Sequence, residues 1–172
     1  EVTMSIMQKQ KLRNPEFGYA RDFVDVVRQI LPEIASGKVK VLSNAGGVNP
    51  EACKDAILKI AKESGITNLK IAVVDGDNIL NEIDSLIASG NELKNMDTDE
   101  SIHAVKNQLL SANVYFGAAP MVEALEQGAQ IIITGRVTDT GLCLAPMIYE
   151  FGWRFDDYDK MAAGTVAGHI LE

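Results

Sequence analysis

Short apolar runs alternate with helical segments along most of this chain, and this alternation restricts the folds open to it. Strand-like runs occur at 38–43 (KVKVLS), 69–74 (LKIAVV), 112–116 (ANVYF) and 128–134 (GAQIIIT), and each leads through a turn into a helical segment. Strands buried on both faces read as continuous apolar runs, and parallel strands are connected through helices. The pattern predicts an α/β fold, with a mainly parallel sheet and helices on both faces, as in a Rossmann-like three-layer sandwich.

The helical segments carry the expected spacing and end signals. In FVDVVRQILPEI, apolar residues recur at the spacing of one helix face, at Phe23, Val26, Val27, Ile30 and Leu31. Pro32, Ser36 and Gly37 are predicted to bring this helix to a close. After the turn NAGGVNP, Asn49 is predicted to cap the next helix and Pro50 to occupy its first position.

Length and charge exclude several classes of protein. With 172 residues, 47% of them apolar, the chain has the size and composition of a single globular domain spanning 1–172. A formal net charge of −8 argues against nucleic-acid and anionic-membrane partners, which need a basic face. The polar stretch 91–110 is expected to be a surface excursion, with a helix starting at Asp97 or Thr98.

The two cysteines, Cys53 and Cys143, form no metal or disulfide motif, so we expect a reduced, cytoplasmic protein. Both are expected to be core thiols. Cys53 also lies in the first turn of its predicted helix, where the helix dipole could lower the pKa of its thiol.

The stretch ITGRVTDTG, residues 132–140, places an arginine, hydroxyls and a carboxylate directly after the most apolar strand. Ligands of parallel α/β sheets bind at the carboxyl ends of strands. Arg136 offers a planar cation suited to carboxylate or phosphate, and Asp139 can move a proton. Thr134, Gly135 and Thr138 are predicted to complete a ligand site. In the alternative interpretation, Arg136 only pairs with Asp139, and Thr138 or Asp139 caps the next helix.

The other strand ends supply further candidate ligand-binding residues. These are Asn44, Gly46 and Gly47 in NAGG, Asp75 and Asp77 in DGDN, and Gly117 in FGAAP. The glycines could equally serve the turns alone, and Asp77 could cap a helix. Neither a dinucleotide fingerprint, a P-loop nor a calcium-loop pattern is present. The sequence therefore indicates a small anionic ligand but no particular cofactor or metal.

His169 lies in MAAGTVAGHILE, where Ala163, Gly164, Ala167 and Gly168 form a stripe of small residues at helical spacing. Such a stripe is typical of a helix packed closely against another. If that helix points toward the carboxyl edge of the sheet, His169 becomes a candidate proton carrier. Neither a metalloprotease spacing nor a serine-hydrolase elbow is present, which argues against those two enzyme classes.

Several stretches together resemble one family. EVTMSIM, GYARDF, VLSNAGGVNP, VYFGAAPMVEALEQGAQIIITGRVTDTGLCLAPMIYEFGW and DDYDKMAAGTVAGHILE look like the N-terminal domain of the acyclic terpene utilisation protein AtuA family. Members of that family carry further segments on both sides, so the resemblance implies that this chain is a fragment of a longer domain. The motifs shared with the family fall on Asn44, Gly46, Gly47, Gly117, Thr134, Gly135, Arg136, Asp139 and His169.

The resemblance implies a catabolic protein that works beside acyl-CoA carboxylases and enoyl-CoA hydratase-like enzymes. We therefore expect a hydratase or lyase that acts on a branched carboxylate or acyl-CoA, with Arg136, Asp139 and His169 as catalytic candidates. The alternatives are a nucleotide-dependent α/β enzyme, or a non-catalytic accessory or scaffold subunit. A homo-oligomer or a catabolic complex is the expected assembly.

Overall fold

The computed structural model describes residues 2–171, which form a mixed α/β structure around a small parallel sheet. Its strands are β1 (Val41–Ser43), β2 (Ile71–Val74) and β3 (Ile131–Thr134), arranged in the order β1-β3-β2. The central strand pairs on both sides, because Ile131 lies opposite Val41 on one side and opposite Ile71 on the other. The predicted parallel sheet is confirmed, with the apolar strand IIIT at its centre.

The described part of the chain contains seven α-helices. They are α1 (Val2–Arg13), α2 (Arg21–Ala35), α3 (Pro50–Glu63), α4 (Ile83–Ala88), α5 (Ala119–Glu126), α6 (Asp139–Phe151) and α7 (Tyr158–Leu171). Short 3₁₀ turns at Leu80–Glu82, Ile102–Ala104 and Lys106–Gln108 lie between β2 and α5. No helix begins at residue 97 or 98, so the prediction of a helix that starts there was wrong. Asn95 instead holds this loop, because its side-chain oxygen accepts the N–H groups of Asp97 and Thr98.

Alternation along β3 divides the core between the two faces of the sheet. Ile131 and Ile133 pack with α2 and α3, where Val27, Leu31 and Ile57 are fully buried. Ile132 faces the opposite way and packs with α5 and α6. Helices therefore cover both faces, as predicted. The full Rossmann-like sandwich is not confirmed, because the described residues form a sheet of only three strands.

The strand predicted at 112–116 was wrong. This segment is extended, but it forms only isolated bridges, one between Asn113 and Asn78 and one between Phe116 and Val137. It crosses the carboxyl edge of the sheet and pairs with the loops that follow β2 and β3. Because β2 and β3 have already ended at this edge, the segment has no strand beside it with which to form a continuous ladder.

Two local predictions also need correction. The side chain of Asn49 makes no capping bond to the described part of α3; its amide instead donates to the carbonyl oxygens of Pro15 and Phe17 at 2.8 and 2.7 Å. Asn49 thereby ties the loop before α2 to the start of α3. In α2 the buried stripe includes Val24, whereas Val26 is half exposed, because the helix is rotated relative to the predicted face.

Candidate functional site at the carboxyl edge of the sheet

The loops that leave the three strands meet at the carboxyl edge of the sheet, because all the strands are parallel. Asn44 follows β1, Asp75 and Asp77 follow β2, and Arg136 and Asp139 follow the central strand β3. The order β1-β3-β2 puts the Arg136 loop between the other two. The structure thus brings together the polar residues that the sequence placed at separate strand ends.

Arg136 contacts Asp139 and Tyr115 at this edge. Its Nη2 atom lies 3.4 Å from Oδ2 of Asp139, and its Cζ atom lies 4.5 Å from the ring centroid of Tyr115. The other carboxylate oxygen of Asp139 accepts a long hydrogen bond of 3.5 Å from Nδ2 of Asn44. We call Asn44, Tyr115, Arg136 and Asp139 the arginine cluster.

The arginine cluster is only partly open to solvent. The side chain of Arg136 is 19% exposed and that of Asp139 is 36% exposed. Asp139 also lies in the first turn of α6, where the free N–H groups and the helix dipole favour negative charge. A ligand carboxylate could use the same dipole and the same guanidinium. The ion pair of the alternative interpretation is therefore present, and both of its side chains are partly exposed.

Asp77 has a structural position beneath the cluster. It is only 5% exposed, and its Oδ2 atom accepts hydrogen bonds from the backbone N–H of Arg136 at 2.9 Å and from Nδ2 of Asn113 at 2.7 Å. This carboxylate therefore joins the loops after β2 and β3 to the segment 112–116. It caps no helix in the described structure, contrary to the alternative suggested by its sequence position.

Close packing explains three of the predicted glycines. A Cβ atom on Gly135 would collide with the Asp77 carboxylate, and one on Gly46 would lie 2.5 Å from the carbonyl oxygen of Thr134. Gly47 has a φ of +53° and packs against Met7 of α1. These glycines allow the loops to pack on each other, so their positions need no ligand to explain them.

Gly117 and Asp75 are different, because both are exposed. No described atom beyond its chain neighbours lies within 4 Å of a Cβ placed on Gly117. Asp75 lines two cavities, one of about 220 Å³ and one of about 600 Å³. These two residues border open space where a ligand could enter.

The two threonines of the β3 loop differ in what their side chains bond. Thr134 is fully buried, and its hydroxyl donates to the carbonyl oxygen of Gly135 at 3.0 Å. Thr138 precedes α6, yet within the described chain its side chain makes no capping bond. Thr138 is half buried and remains a predicted ligand contact, whereas the Thr134 hydroxyl is already occupied in the turn.

His169 lies on α7 near this edge. The helix packs against α6 so closely that a Cβ on Gly168 would lie 2.8 Å from Cα of Thr140, the residue after Asp139. The side chain of His169 is exposed. The end of α7 therefore lies beside the start of α6, which meets the condition set for His169 as a candidate. Proton transfer by His169 stays a prediction.

Two cavities lie beside the loop that follows β2 and the segment 112–116. The smaller is polar and is lined by Lys11, Glu51, Asp75, Asn78 and Asn113 among others. The larger is a groove along the edge of β2 and the surface of α5, and Phe116 is among the residues that line it. The backbone N–H of Phe116 donates to the carbonyl oxygen of Arg136 at 3.4 Å, so one residue that lines the groove is bonded to the backbone of the arginine cluster.

Residues 2–171 contain no group of three or more His, Cys, Asp or Glu side chains arranged to hold a metal ion. Cys53 is fully buried in the core of α2 and α3, and burial raises the pKa of its thiol to about 12. The helix start does not lower this pKa, because desolvation of the thiolate outweighs the helix dipole. The prediction of a core thiol is confirmed for Cys53.

Sequence reasoning missed Tyr115, Asn113 and Lys11. The first two were assigned to a strand, although their spacing of two residues already puts them on the same side of an extended segment. That spacing, next to FGAAP, is the signal that could have found them. Lys11 carries no such signal, because only the packing of α1 brings its Nζ atom to the carbonyl oxygen of Val48.

A protein-family model matches the whole chain, residues 1–172. Its description is acyclic terpene utilisation family protein AtuA. The chain belongs to the AtuA family. No curated protein and no solved structure matches it. Membership confirms the resemblance seen in the motifs and connects the chain with acyclic terpene utilisation.

None of the helices in residues 2–171 has both the length and the apolar character needed to cross a bilayer.

Proposed function

We propose that this AtuA-family chain is part of a cytoplasmic catabolic enzyme, a hydratase or lyase that acts on a branched carboxylate or its CoA thioester. The observation that carries the proposal is the arginine cluster at the carboxyl edge of the sheet. A guanidinium presents paired N–H donors that match a carboxylate, and it stays charged at every physiological pH. Family membership supplies the class of metabolism.

In this proposal the ligand anion replaces Asp139 as the ion-pair partner of the Arg136 guanidinium. Asp139 is then released from its 3.4 Å pair and can accept a proton. For hydration of an α,β-unsaturated acid, Asp139 or His169 takes a proton from water while the water oxygen bonds to the β-carbon. The electron pair of the double bond moves toward the carboxyl group, where Arg136 stabilises it, and the α-carbon then takes up a proton.

The groove along β2 and α5 has the size and lining to hold an apolar substrate chain. Its volume of about 600 Å³ lies within the usual range of small-molecule sites. Its walls include Ile71, Val73, Phe116 and Pro120. A branched chain in this groove would have its carboxylate end near Phe116, which borders Arg136.

Thermal denaturation of the purified protein tests the proposal. The ligands are branched free acids, branched acyl-CoAs, CoA, ATP, NAD(P) and divalent metals. A ligand that binds only the native state raises the melting temperature by mass action. We expect stabilisation by branched acids or acyl-CoAs, its loss in Arg136→Ala, and its retention in Arg154→Ala, an exposed arginine paired with Asp156. Stabilisation that survives in Arg136→Ala would contradict the proposal, and stabilisation by ATP alone would favour the nucleotide-dependent alternative.

One observation favours a second candidate, an accessory subunit. Helix α7 buries only two glycines among its described residues, while Val166, Ile170 and Leu171 are exposed, Ile170 by 78%. Exposed apolar surface of this kind can mark a protein interface. The accessory role predicts no ligand response together with a concentration-dependent complex or oligomer that Ile170→Lys disrupts, as measured by analytical ultracentrifugation.

A further inference from the structure

We propose that Tyr115 determines the ligand specificity of the arginine cluster, and that Asp77 and Asn113 are positioning residues for it. This role rests on the proposed function, since it refines what Arg136 would bind. Neither the strand-end motifs nor the family description assigns the segment 112–116 to a site.

One carboxylate oxygen of the buried Asp77 links the segment that carries Tyr115 to the backbone of Arg136. Oδ2 of Asp77 accepts from the backbone N–H of Arg136 and from the side chain of Asn113. Asn113 and Tyr115 are two residues apart in an extended segment, so their side chains lie on the same side. Fixing Asn113 therefore fixes the direction of Tyr115.

Backbone hydrogen bonds hold the segment on both sides of Tyr115. The N–H of Val114 donates to the carbonyl oxygen of Asp77 at 2.8 Å. The N–H of Phe116 donates to Arg136, and the carbonyl oxygen of Phe116 accepts from the N–H of Thr138 at 2.8 Å. The ring of Tyr115 is thus set over the guanidinium from a fixed backbone, although Tyr115 itself is 46% exposed.

The ring position selects how a ligand can approach. A ring lying over a guanidinium blocks that face and leaves the N–H donors in the guanidinium plane, where a carboxylate binds. Asp139 stays nearby in the first turn of α6 even when the ligand replaces it as the partner of Arg136, so an anion with a single charge is tolerated better than a dianion. We therefore assign the cluster to monoanionic carboxylates in preference to phosphate groups.

Isothermal titration calorimetry with 3-methylbut-2-enoate, 3-methylpentanoate and inorganic phosphate tests the specificity. We expect both carboxylates to bind the native protein at least tenfold more tightly than phosphate, and neither to bind Arg136→Ala. Tyr115→Leu should weaken carboxylate binding by about fivefold, as expected for the loss of a cation–π contact. Tyr115→Phe, which keeps the ring, should stay within about twofold, as should Tyr158→Leu, a matched change at an exposed tyrosine.

A ligand-free measurement tests the positioning separately. The ring current of Tyr115 should shift the side-chain NMR signals of Arg136, and both Tyr115→Leu and Asn113→Ala should remove that shift. An unchanged Arg136 signal in Asn113→Ala would overturn the positioning role. Carboxylate binding that needs Arg136 but is unaffected by Tyr115→Leu would overturn the specificity role alone. If the native protein binds neither carboxylate, the proposed function and the ligand role of Tyr115 both fail, while the NMR result still decides the positioning.

Discussion

Asp77 and Gly135 depend on each other at the end of the central strand. The carboxylate occupies the space that a side chain at position 135 would need, and it accepts the N–H of the next residue, Arg136. A buried carboxylate requires such partners, because leaving it without hydrogen bonds costs several kcal/mol. The two residues therefore fix the backbone position of Arg136, which belongs to the arginine cluster.

Cys53 gives a prediction about stability at alkaline pH. The folded state raises the pKa of this thiol to about 12, because the thiolate would lose its hydration in the core. Unfolding lets the thiol ionise near its ordinary pKa of 9.0. Below about pH 9 the thiol is protonated in both states, and its ionisation costs no stability. As the pH rises from about 9 toward 12, only the unfolded state ionises, and the free energy of unfolding falls by up to about 1.4 kcal/mol per pH unit.

Urea denaturation of the native protein and of Cys53→Val between pH 7 and 11 measures this effect. The variant should show the weaker pH dependence, and taking the difference between the two proteins removes the contribution of other groups, such as Tyr19, whose pKa burial also raises. Parallel pH profiles would contradict the assignment.

Helices α6 and α7 show how small residues set the distance between elements. A Cβ on Gly164 would lie 2.5 Å from Leu144, and one on Gly168 would lie 2.8 Å from the backbone of Thr140. Of the predicted small-residue stripe, the two glycines are buried at this contact and Ala163 is exposed. The close approach brings the end of α7, with His169, to the start of α6 and the arginine cluster.

Gly168→Ala should destabilise the protein by about 1–3 kcal/mol, because α7 would have to move away from a backbone atom. Helix propensity alone predicts the opposite sign, since alanine is better than glycine in a helix by about 1 kcal/mol. The midpoint of urea denaturation measures the change. Ala163→Gly is the control, and it should lower stability only by its propensity cost. A stabilised Gly168→Ala protein would show that the two helices are not held at this distance.

Across the whole molecule, two cores share one strand. Ile131 and Ile133 belong to the core of α2 and α3, and Ile132 belongs to the core of α5 and α6. Loss of either core would expose apolar residues of β3, so the two faces are expected to unfold together as one domain.

Each face carries one natural reporter for this prediction. Trp153, the only tryptophan in the sequence, packs against the core of α5 and α6, and Cys53 lies in the other core. In a Cys143→Ala background, the urea midpoint of Trp153 fluorescence should coincide with that of Cys53 reactivity toward a thiol reagent. Separate midpoints would divide the chain into two independently stable units.

The class of fold and the place of the candidate site follow from the amino-acid sequence alone. Apolar runs joined by helical segments indicated parallel strands, and a parallel arrangement puts their polar ends at one edge. This is why Asn44, Arg136 and Asp139 could be grouped from their positions at the strand ends. The sequence was sufficient here, because a strand buried on both faces reads as a continuous apolar run and the helical segments between the strands indicate a parallel arrangement.

Which groups touch depends on the tertiary structure. Three residues whose side chains suggested helix caps or ligand contacts have other partners in the structure. Asn49 and Asp77 bond segments distant in the chain, and the buried Thr134 bonds the carbonyl oxygen of the next residue. Tyr115 became part of the cluster because its segment crosses the sheet edge instead of joining the sheet. Hydrogen-bond partners follow from distances in space, and a linear pattern contains no information about which loop will lie over another.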